Sequence, residues 1–135
     1  MIDILEEEGM ALQEERGGHT IFLTHDVRSA KAWEKIVEET KLAFGKVDIL
    51  VNNAGISVSK SKFKLSEEEY RRILEINQLA VFLGMKWVAQ FMNQGRSIIN
   101  ISTINGLVGG AVGYTDTKIA IRGMTKAAHY ELSFK

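Results

Sequence analysis

The stretch VDILVNNAG, residues 47–55, decides the fold class of this chain. Its first five residues form an apolar run of strand length, and the tetrapeptide NNAG follows directly. In an open α/β sheet, ligands bind beyond the carboxyl ends of the strands, where small residues let a cofactor approach the backbone closely. The same tetrapeptide also fits an ordinary Asn-Gly-type turn, so by itself it leaves both interpretations open.

Two more runs of strand length surround this stretch: TIFLT at 20–24 and SIINI at 97–101. All three runs are rich in β-branched residues and apolar on both faces, which is typical of parallel strands covered by helices on each side. Segments with helical periodicity lie between them. This alternation predicts an α/β domain with a parallel sheet and crossover helices.

The sequence predicts four helices, of which the first two precede VDILV. The first begins near Glu6 and ends by the Gly17-Gly18 pair. The second covers residues 29–44 and stops at Gly45. Its periodicity places four apolar residues on one face: Trp33, Ile36, Val37 and Phe44.

The third helix is the most informative. Ser66 is an expected N-cap with Glu69 three residues later, the pattern of a capping box, and the helix extends to about Met92. Residues 79–92 are apolar almost all round, so this half is either deeply buried or packed against another subunit. The fourth helix begins near Tyr114 and continues towards Leu132.

Composition excludes several classes of function. Lys plus Arg and Asp plus Glu are both 17 in these 135 residues, so no excess of positive charge favours nucleic acid or an anionic membrane. Cysteine is absent and the three histidines are scattered, which disfavours disulfides and metal sites. The acidic start is unlike a signal peptide, and the longest uncharged stretch, 97–115, is a poor membrane helix. We therefore expect a cytoplasmic protein.

Two groups of reactive side chains follow the strands. Tyr114 and Lys118 stand four apart, on one face of the predicted helix, where a lysine can stabilise the phenolate of a tyrosine that transfers protons. Ser102 and Thr103 lie at the end of the SIINI run, where a hydroxyl can donate a hydrogen bond to a substrate oxygen. Taken singly, each group also fits an ordinary helix surface or the cap of a strand.

In this order, NNAG after one strand, Ser-Thr after the next and YxxxK opening a helix resemble the classical short-chain dehydrogenase/reductase family. The resemblance covers essentially the whole chain and extends to DILEEEG at 3–9, HDV at 25–27, INQ at 76–78 and RGMTK at 122–126. It implies a Rossmann-like fold, a parallel sheet with helices on both faces. The family's first strand with its Gly-rich turn, and its last strands, would be missing, so we expect residues 1–135 to be a partial dehydrogenase domain.

The resemblance also implies catalytic roles. Tyr114 would be the general acid for ketone reduction and the general base for alcohol oxidation. Lys118 would lower the pKa of Tyr114 and bind the nicotinamide ribose, and Asn77 would hold through its backbone a water that links Lys118 to solvent. Thr103 replaces the serine that usually bonds the substrate, and Ser102 could compensate only if the strand end twisted.

The implied cofactor is NAD rather than NADP. Asp3 resembles the acidic residue that binds the adenosine ribose hydroxyls, and its carboxylate would repel a 2′-phosphate. Asp26 and Val27 would contact the adenine. The ribose and nicotinamide side would be lined by Asn53, Ala54 and Gly55, together with Tyr114 and Lys118.

Two hypotheses follow about function. The first is an oxidoreductase that transfers hydride between NAD(H) and a secondary alcohol or ketone, with Tyr114 as proton donor and acceptor. The second is a truncated, inactive fragment that acts at most as a dimerising or association module. In either case the expected partners are a small-molecule substrate and further copies of the chain, as a homodimer or homotetramer formed through helices 66–92 and 114–132. No nucleic acid, membrane or metal is expected.

Overall fold

The structure is a computed structural model, and it describes residues 1–58, 64–92 and 95–132. Within these ranges the strands are β1 (Ile2–Asp3), β2 (Leu23–Thr24), β3 (Ile49–Asn52) and β4 (Ser97–Asn100). They form two separate parallel pairs, β1 with β2 and β3 with β4. Parallel strands alternating with helices confirm the predicted α/β class.

The helices follow the predicted order. They are α1 (Glu6–Arg16), α2 (Ala30–Phe44), α3 (Glu67–Leu74), α4 (Ala80–Val88), α5 (Asn105–Val108) and α6 (Tyr114–Leu132). One π-helical turn, Glu75–Leu79, joins α3 to α4, and a short 3₁₀ turn, Ala89–Phe91, follows α4. The predicted third helix is therefore continuous over most of its length but is not a uniform α-helix. The short α5 was not predicted.

Local sequence signals explain the helix ends. The Ser29 hydroxyl accepts a hydrogen bond from the Ala32 amide at 3.2 Å and caps α2. Gly45 ends that helix in the left-handed conformation, with φ of 78°. At α3 the predicted capping box is present, since Ser66 and Glu69 bond each other's backbone amides at 3.2 and 2.9 Å.

The core lies between the β3–β4 sheet and three helices. One buried cluster joins α2, β3 and α4: Trp33, Ile36, Val37, Leu50, Leu83 and Val88. A second cluster, Val81, Met85 and Ile121, joins α4 to α6. Along β3 the burial alternates, so Leu50 is buried, whereas Ile49 is 60% exposed and Val51 is 52% exposed. Among the described residues, one face of this sheet is covered and the side chains on the other face are exposed.

One expectation about the strands was wrong. The run at 20–24 forms a strand only at Leu23–Thr24, because its ladder partner β1 is two residues long. Among the described residues, one face of the β3–β4 sheet is covered. Phe44 lies on the face of α2 that the periodicity predicts and is 48% exposed, because periodicity sets the direction of a side chain and not whether another element covers it.

Within the three described ranges, no helix has the length and apolar character needed to cross a lipid bilayer.

Candidate active site

The site begins with Asn77, which lies in the π turn and has no exposed surface. Its Oδ1 accepts a hydrogen bond from the Ile56 amide at 2.8 Å, and its Nδ2 donates to the Ile56 carbonyl at 2.9 Å. Both atoms of the carboxamide thus bind the backbone directly after NNAG. This clamp holds the segment that leaves β3 against the long helix.

The π turn explains how a side chain of the long helix reaches this place. Its widened ring is closed by the Ala80 amide, which donates to the carbonyl of Glu75, five residues earlier. Single π turns inside α-helices occur frequently at functional sites. Here the turn carries the one buried carboxamide of this helix within the described ranges.

Lys118 is the second buried polar group of the site and is only 2% exposed. Its Nζ donates to the Ile101 carbonyl, at the end of β4, at 2.9 Å. Burial lowers the pKa of this ammonium group below its ordinary value, because the charged form loses hydration. Tyr114, half-buried, lies one helical turn earlier on α6.

Gly55 completes the contact between NNAG and these two side chains. A Cβ at this position would stand 3.0 Å from Lys118 Nζ and 3.4 Å from Asn77 Oδ1. The backbone of NNAG therefore approaches the lysine so closely that any side chain would push it aside. The structure brings together three of the predicted site residues, Gly55, Asn77 and Lys118.

The two hydroxyl residues after β4 are used differently. Ser102 Oγ donates to the backbone carbonyl of Lys118 at 2.6 Å, so it fastens α6 to the strand end. Thr103 Oγ1 accepts a hydrogen bond from the Asn105 amide at 3.2 Å. Among the hydrogen bonds of the described residues, the Thr103 hydroxyl is not a donor, so its proton is available to a substrate oxygen. Ser102 thus has a structural bond, and Thr103 remains the candidate donor to a substrate.

Sequence reasoning missed Thr117, which is 1% exposed and lies in the first turn of α6, facing Asn77. Asn77 Nδ2 donates to Thr117 Oγ1 at 3.2 Å, and this hydroxyl donates to the Gly113 carbonyl at 2.5 Å. In the sequence, the one indication of a functional role for Thr117 was its position inside YxxxK, directly before Lys118. The indication was weak, because a threonine at this position is also compatible with a solvent-exposed helix surface.

The residues assigned to the adenosine side lie at the β1–β2 pair. Asp3 is exposed, and its Oδ1 accepts from the backbone amides of Ile4 at 2.7 Å and Leu5 at 3.2 Å. The His25 amide donates to the Asp3 carbonyl at 3.0 Å, so β1 and the segment after β2 are adjacent. Asp3 and HDV therefore lie together, at a different sheet from Lys118.

Asp26 and Val27 already have partners within the chain. Arg28 binds both carboxylate oxygens of Asp26, with Nη2 at 2.6 Å from Oδ2, and these bonds lower the pKa of Asp26. The Val27 carbonyl accepts from Trp33 Nε1 at 2.9 Å, and its side chain packs on the core. Asn53 and Ala54 are exposed at the end of β3.

Other polar groupings do not extend this site. A charged surface cleft on α3 is lined by Arg28, Glu67, Glu68, Arg71, Arg72 and Glu75. Its charges pair partly with one another, as Arg71 does with Glu67 at 2.7 Å. Over the residues that the structure describes, no three His, Cys, Asp or Glu side chains are grouped as metal ligands.

Comparison with known proteins explains this arrangement. A family model described as short chain dehydrogenase matches residues 2–135. The chain belongs to the short-chain dehydrogenase family. The resemblance stated from the sequence is confirmed.

Curated short-chain dehydrogenases share extensive identity with this member of the family. A 3-alpha-(or 20-beta)-hydroxysteroid dehydrogenase of Mycobacterium tuberculosis is 42% identical over 96% of this chain and 52% of its own length. An NADP-dependent (R)-specific alcohol dehydrogenase of Lentilactobacillus kefiri is 40% identical over 84% of this chain and 47% of its own. The chain spans about half the length of the curated relatives it matches.

A solved structure confirms the fold of this short-chain dehydrogenase. A short-chain dehydrogenase/reductase of Brucella melitensis, named as a glucose/ribitol dehydrogenase, superposes with a TM-score of 0.92 at 28% identity. The match covers 97% of this chain and 57% of the other. The predicted Rossmann-like fold is therefore confirmed.

The family uses nicotinamide cofactors, and the chain's residues fit the two ends of such a dinucleotide. At one end, the backbone of Gly55 faces Lys118. The Lys118 ammonium has three N–H groups, one of which donates to the Ile101 carbonyl. At the other end, the exposed carboxylate of Asp3 can accept hydrogen bonds from ribose hydroxyls. Within the described ranges, no Gly-rich turn of the dinucleotide-binding spacing opens a helix to hold the pyrophosphate.

Proposed function

We propose that this chain carries the proton-transfer part of an oxidoreductase that acts on secondary alcohols and ketones with NAD(H). One observation carries the proposal. Lys118 is buried against Gly55 and the end of β4, at the carboxyl edge of a parallel sheet, and it follows Tyr114 by one helical turn on α6. This is the arrangement in which a tyrosine becomes a useful acid and base at neutral pH.

The proton steps follow from the positions of these groups. In ketone reduction, the Tyr114 hydroxyl gives its proton to the carbonyl oxygen, and the nearby Lys118 ammonium stabilises the phenolate left behind. In alcohol oxidation the phenolate takes the hydroxyl proton. Thr103 would donate a hydrogen bond to the same oxygen as charge develops on it. When bound, the nicotinamide supplies or accepts the hydride.

Lys118 has a second task in this proposal. Its bond to the Ile101 carbonyl fixes the ammonium and leaves two N–H groups for ribose hydroxyls. Asn77 holds the Ile56 backbone and thereby the segment that faces the cofactor. In this proposal, the backbone carbonyl of Asn77 in the π turn binds a water that links Lys118 to solvent.

The proposed proton transfer is tested by Tyr114→Phe in the intact gene product. Oxidation of secondary alcohols, followed as NADH formation, should fall by at least about a thousandfold, because the acid and base is lost, while NADH binding changes little. Tyr70→Phe is the matched control, since it removes a phenol whose bond to Asp116 lies outside the proposed transfer. Retained turnover in Tyr114→Phe would exclude the mechanism.

We assign NAD rather than NADP on the position of Asp3. A carboxylate at this place repels a 2′-phosphate, although one relative is named as NADP-dependent. Titration with NADH and NADPH, followed by nicotinamide fluorescence, should show tighter binding of NADH. Asp3→Ser should reduce the difference between the two affinities, because NADH binds more weakly and NADPH more tightly. If the ratio of the NADH and NADPH affinities is the same in Asp3→Ser and in the wild type, the assignment is overturned.

A second candidate function, self-association, is favoured by the long helix. Leu79 and Phe82 are exposed on the apolar half of this helix, as is Phe91 in the turn that ends it. We propose a homodimer or homotetramer that buries these side chains, through helices 66–92 and 114–132. Sedimentation velocity should show an assembly that Phe82→Lys dissociates. A monomer at all concentrations would refute it.

A further inference from the structure

The buried hydroxyl of Thr117 has no part in the proposed proton transfer, yet it lies between the residues that perform it. It is three residues after Tyr114 and directly before Lys118. Its Oγ1 donates to the Gly113 carbonyl at 2.5 Å, with the Tyr114 carbonyl at 2.9 Å. It also accepts from Asn77 Nδ2 at 3.2 Å. The hydroxyl thus uses both its proton and a lone pair.

A bond from a threonine to the carbonyl four residues earlier is ordinary in helices. Thr40 makes one to Ile36, and Thr125 makes one to Ile121, each at 2.7 Å. Thr125 Oγ1 also accepts a hydrogen bond from an asparagine, Asn100 Nδ2 at 3.0 Å, as Thr117 Oγ1 does from Asn77. The chemistry of Thr117 is therefore not unusual, and its significance depends on where in α6 it stands.

At Thr117 the two bonds fix the turn that carries the reactive groups. On one side, Asn77 connects Thr117 to the Ile56 backbone and so to NNAG. On the other side, Ser102 Oγ binds the carbonyl of Lys118 at 2.6 Å. These two contacts, one from the π turn and one from the segment after β4, hold the start of α6.

We propose that Thr117 is a positioning residue, which sets the relative placement of the Tyr114 hydroxyl and the Lys118 ammonium through its bond from Asn77. The inference rests on the proposed function of this site. Thr117 touches neither substrate nor cofactor in this role. It acts by keeping the first turn of α6 in the orientation in which the ammonium stabilises the phenolate.

Thr117→Val is the test variant in the intact gene product, because valine keeps the shape and removes the hydrogen bonds. We expect kcat to fall on the order of tenfold, since small misplacements of reacting groups can cost up to about a hundredfold. The KM for NADH should change by less than about twofold. The pH profile of kcat/KM should move to higher pH, because a displaced ammonium stabilises the phenolate less. Thr117→Ser should restore all three quantities.

Thr125→Val is the matched control. It removes the same two kinds of bond from the same helix, two turns after Lys118 and three turns after Tyr114. A purely structural role for Thr117 predicts that both valine variants lose stability and leave the pH profile in place. That result would overturn the proposal.

A second measurement does not depend on turnover. Hydrogen exchange of the peptide covering residues 114–121 should be several-fold faster in Thr117→Val than in the wild type, and unchanged in Thr117→Ser and Thr125→Val. If the wild type oxidises no alcohol, the proposed function fails, and this exchange still decides the positioning role. Equal exchange in all four proteins would refute it.

Discussion

Replacing Asn77 by alanine tests the clamp that joins the long helix to the end of β3. The substitution removes three hydrogen bonds from a fully buried side chain: two with the Ile56 backbone and one with Thr117. Each such bond contributes about 1 kcal/mol net, and unpaired buried groups cost more. We therefore expect the free energy of unfolding to fall by about 3 kcal/mol.

The assay is urea denaturation of the intact gene product, followed by circular dichroism. With a slope of about 1–3 kcal/mol per M of urea, a loss of this size should lower the midpoint by about 1–3 M. Gln90→Ala is the control, because the Gln90 amide bonds the Lys86 carbonyl of the same helix from an exposed position. Its effect should stay within about 0.5 kcal/mol.

A loss in Asn77→Ala no larger than that in Gln90→Ala would refute the reasoning. It would mean that the Ile56 backbone finds other partners, and that the clamp does not hold NNAG in place. The slope of the denaturation curve should remain unchanged, since neither substitution alters the surface exposed on unfolding.

Two further predictions concern Lys118 and the glycines of the helices. Burial lowers the pKa of Lys118 in the folded state, so the unfolded state binds more protons at pH values between that pKa and the ordinary value of about 10.4. The free energy of unfolding should therefore increase with pH in this range, relative to that of Lys118→Met. Identical pH curves for the two proteins would contradict the buried ammonium. A Cβ on Gly84 would stand 2.5 Å from Asn52 Oδ1 and 3.0 Å from the Trp33 ring, so Gly84→Ala should lose about 1–3 kcal/mol in urea denaturation. Gly123→Ala, with open space at its Cβ, should instead gain about 0.5–1 kcal/mol, and similar effects at both glycines would show that the close contact is absent.

The elements that the sequence predicted are those governed by local interactions. The ends of α2 and α3 are set by cap residues: Ser29, Gly45 and the Ser66–Glu69 capping box. Each cap acts within a few residues, so the local sequence is sufficient to predict these helix ends. The pairing of Tyr114 with Lys118 follows from the four-residue period of one helix. These features could be predicted because no distant part of the chain decides them.

The features that the sequence did not predict depend on distant contacts. Thr117 and Asn77 are 40 residues apart, and the carboxamide that joins them lies in a π turn. No local rule predicted that turn. The exposure of Phe44 depends likewise on which elements pack beside α2. Helix propensity and hydrophobic periodicity can be read from the residues of one element, whereas the burial of its side chains depends on the elements that pack against it.

The open face of the β3–β4 sheet has a consequence for engineering. Ile49, Val51, Ile99 and Ile101 are exposed there, while the opposite face holds Leu50 in the core. The two faces of one strand can therefore be varied independently. Threonine at Ile49 and Val51 keeps the β-branched shape that strands favour. In the 135-residue chain, such variants should precipitate less and bind less apolar dye, without disturbing the carboxyl edge where NNAG faces Lys118.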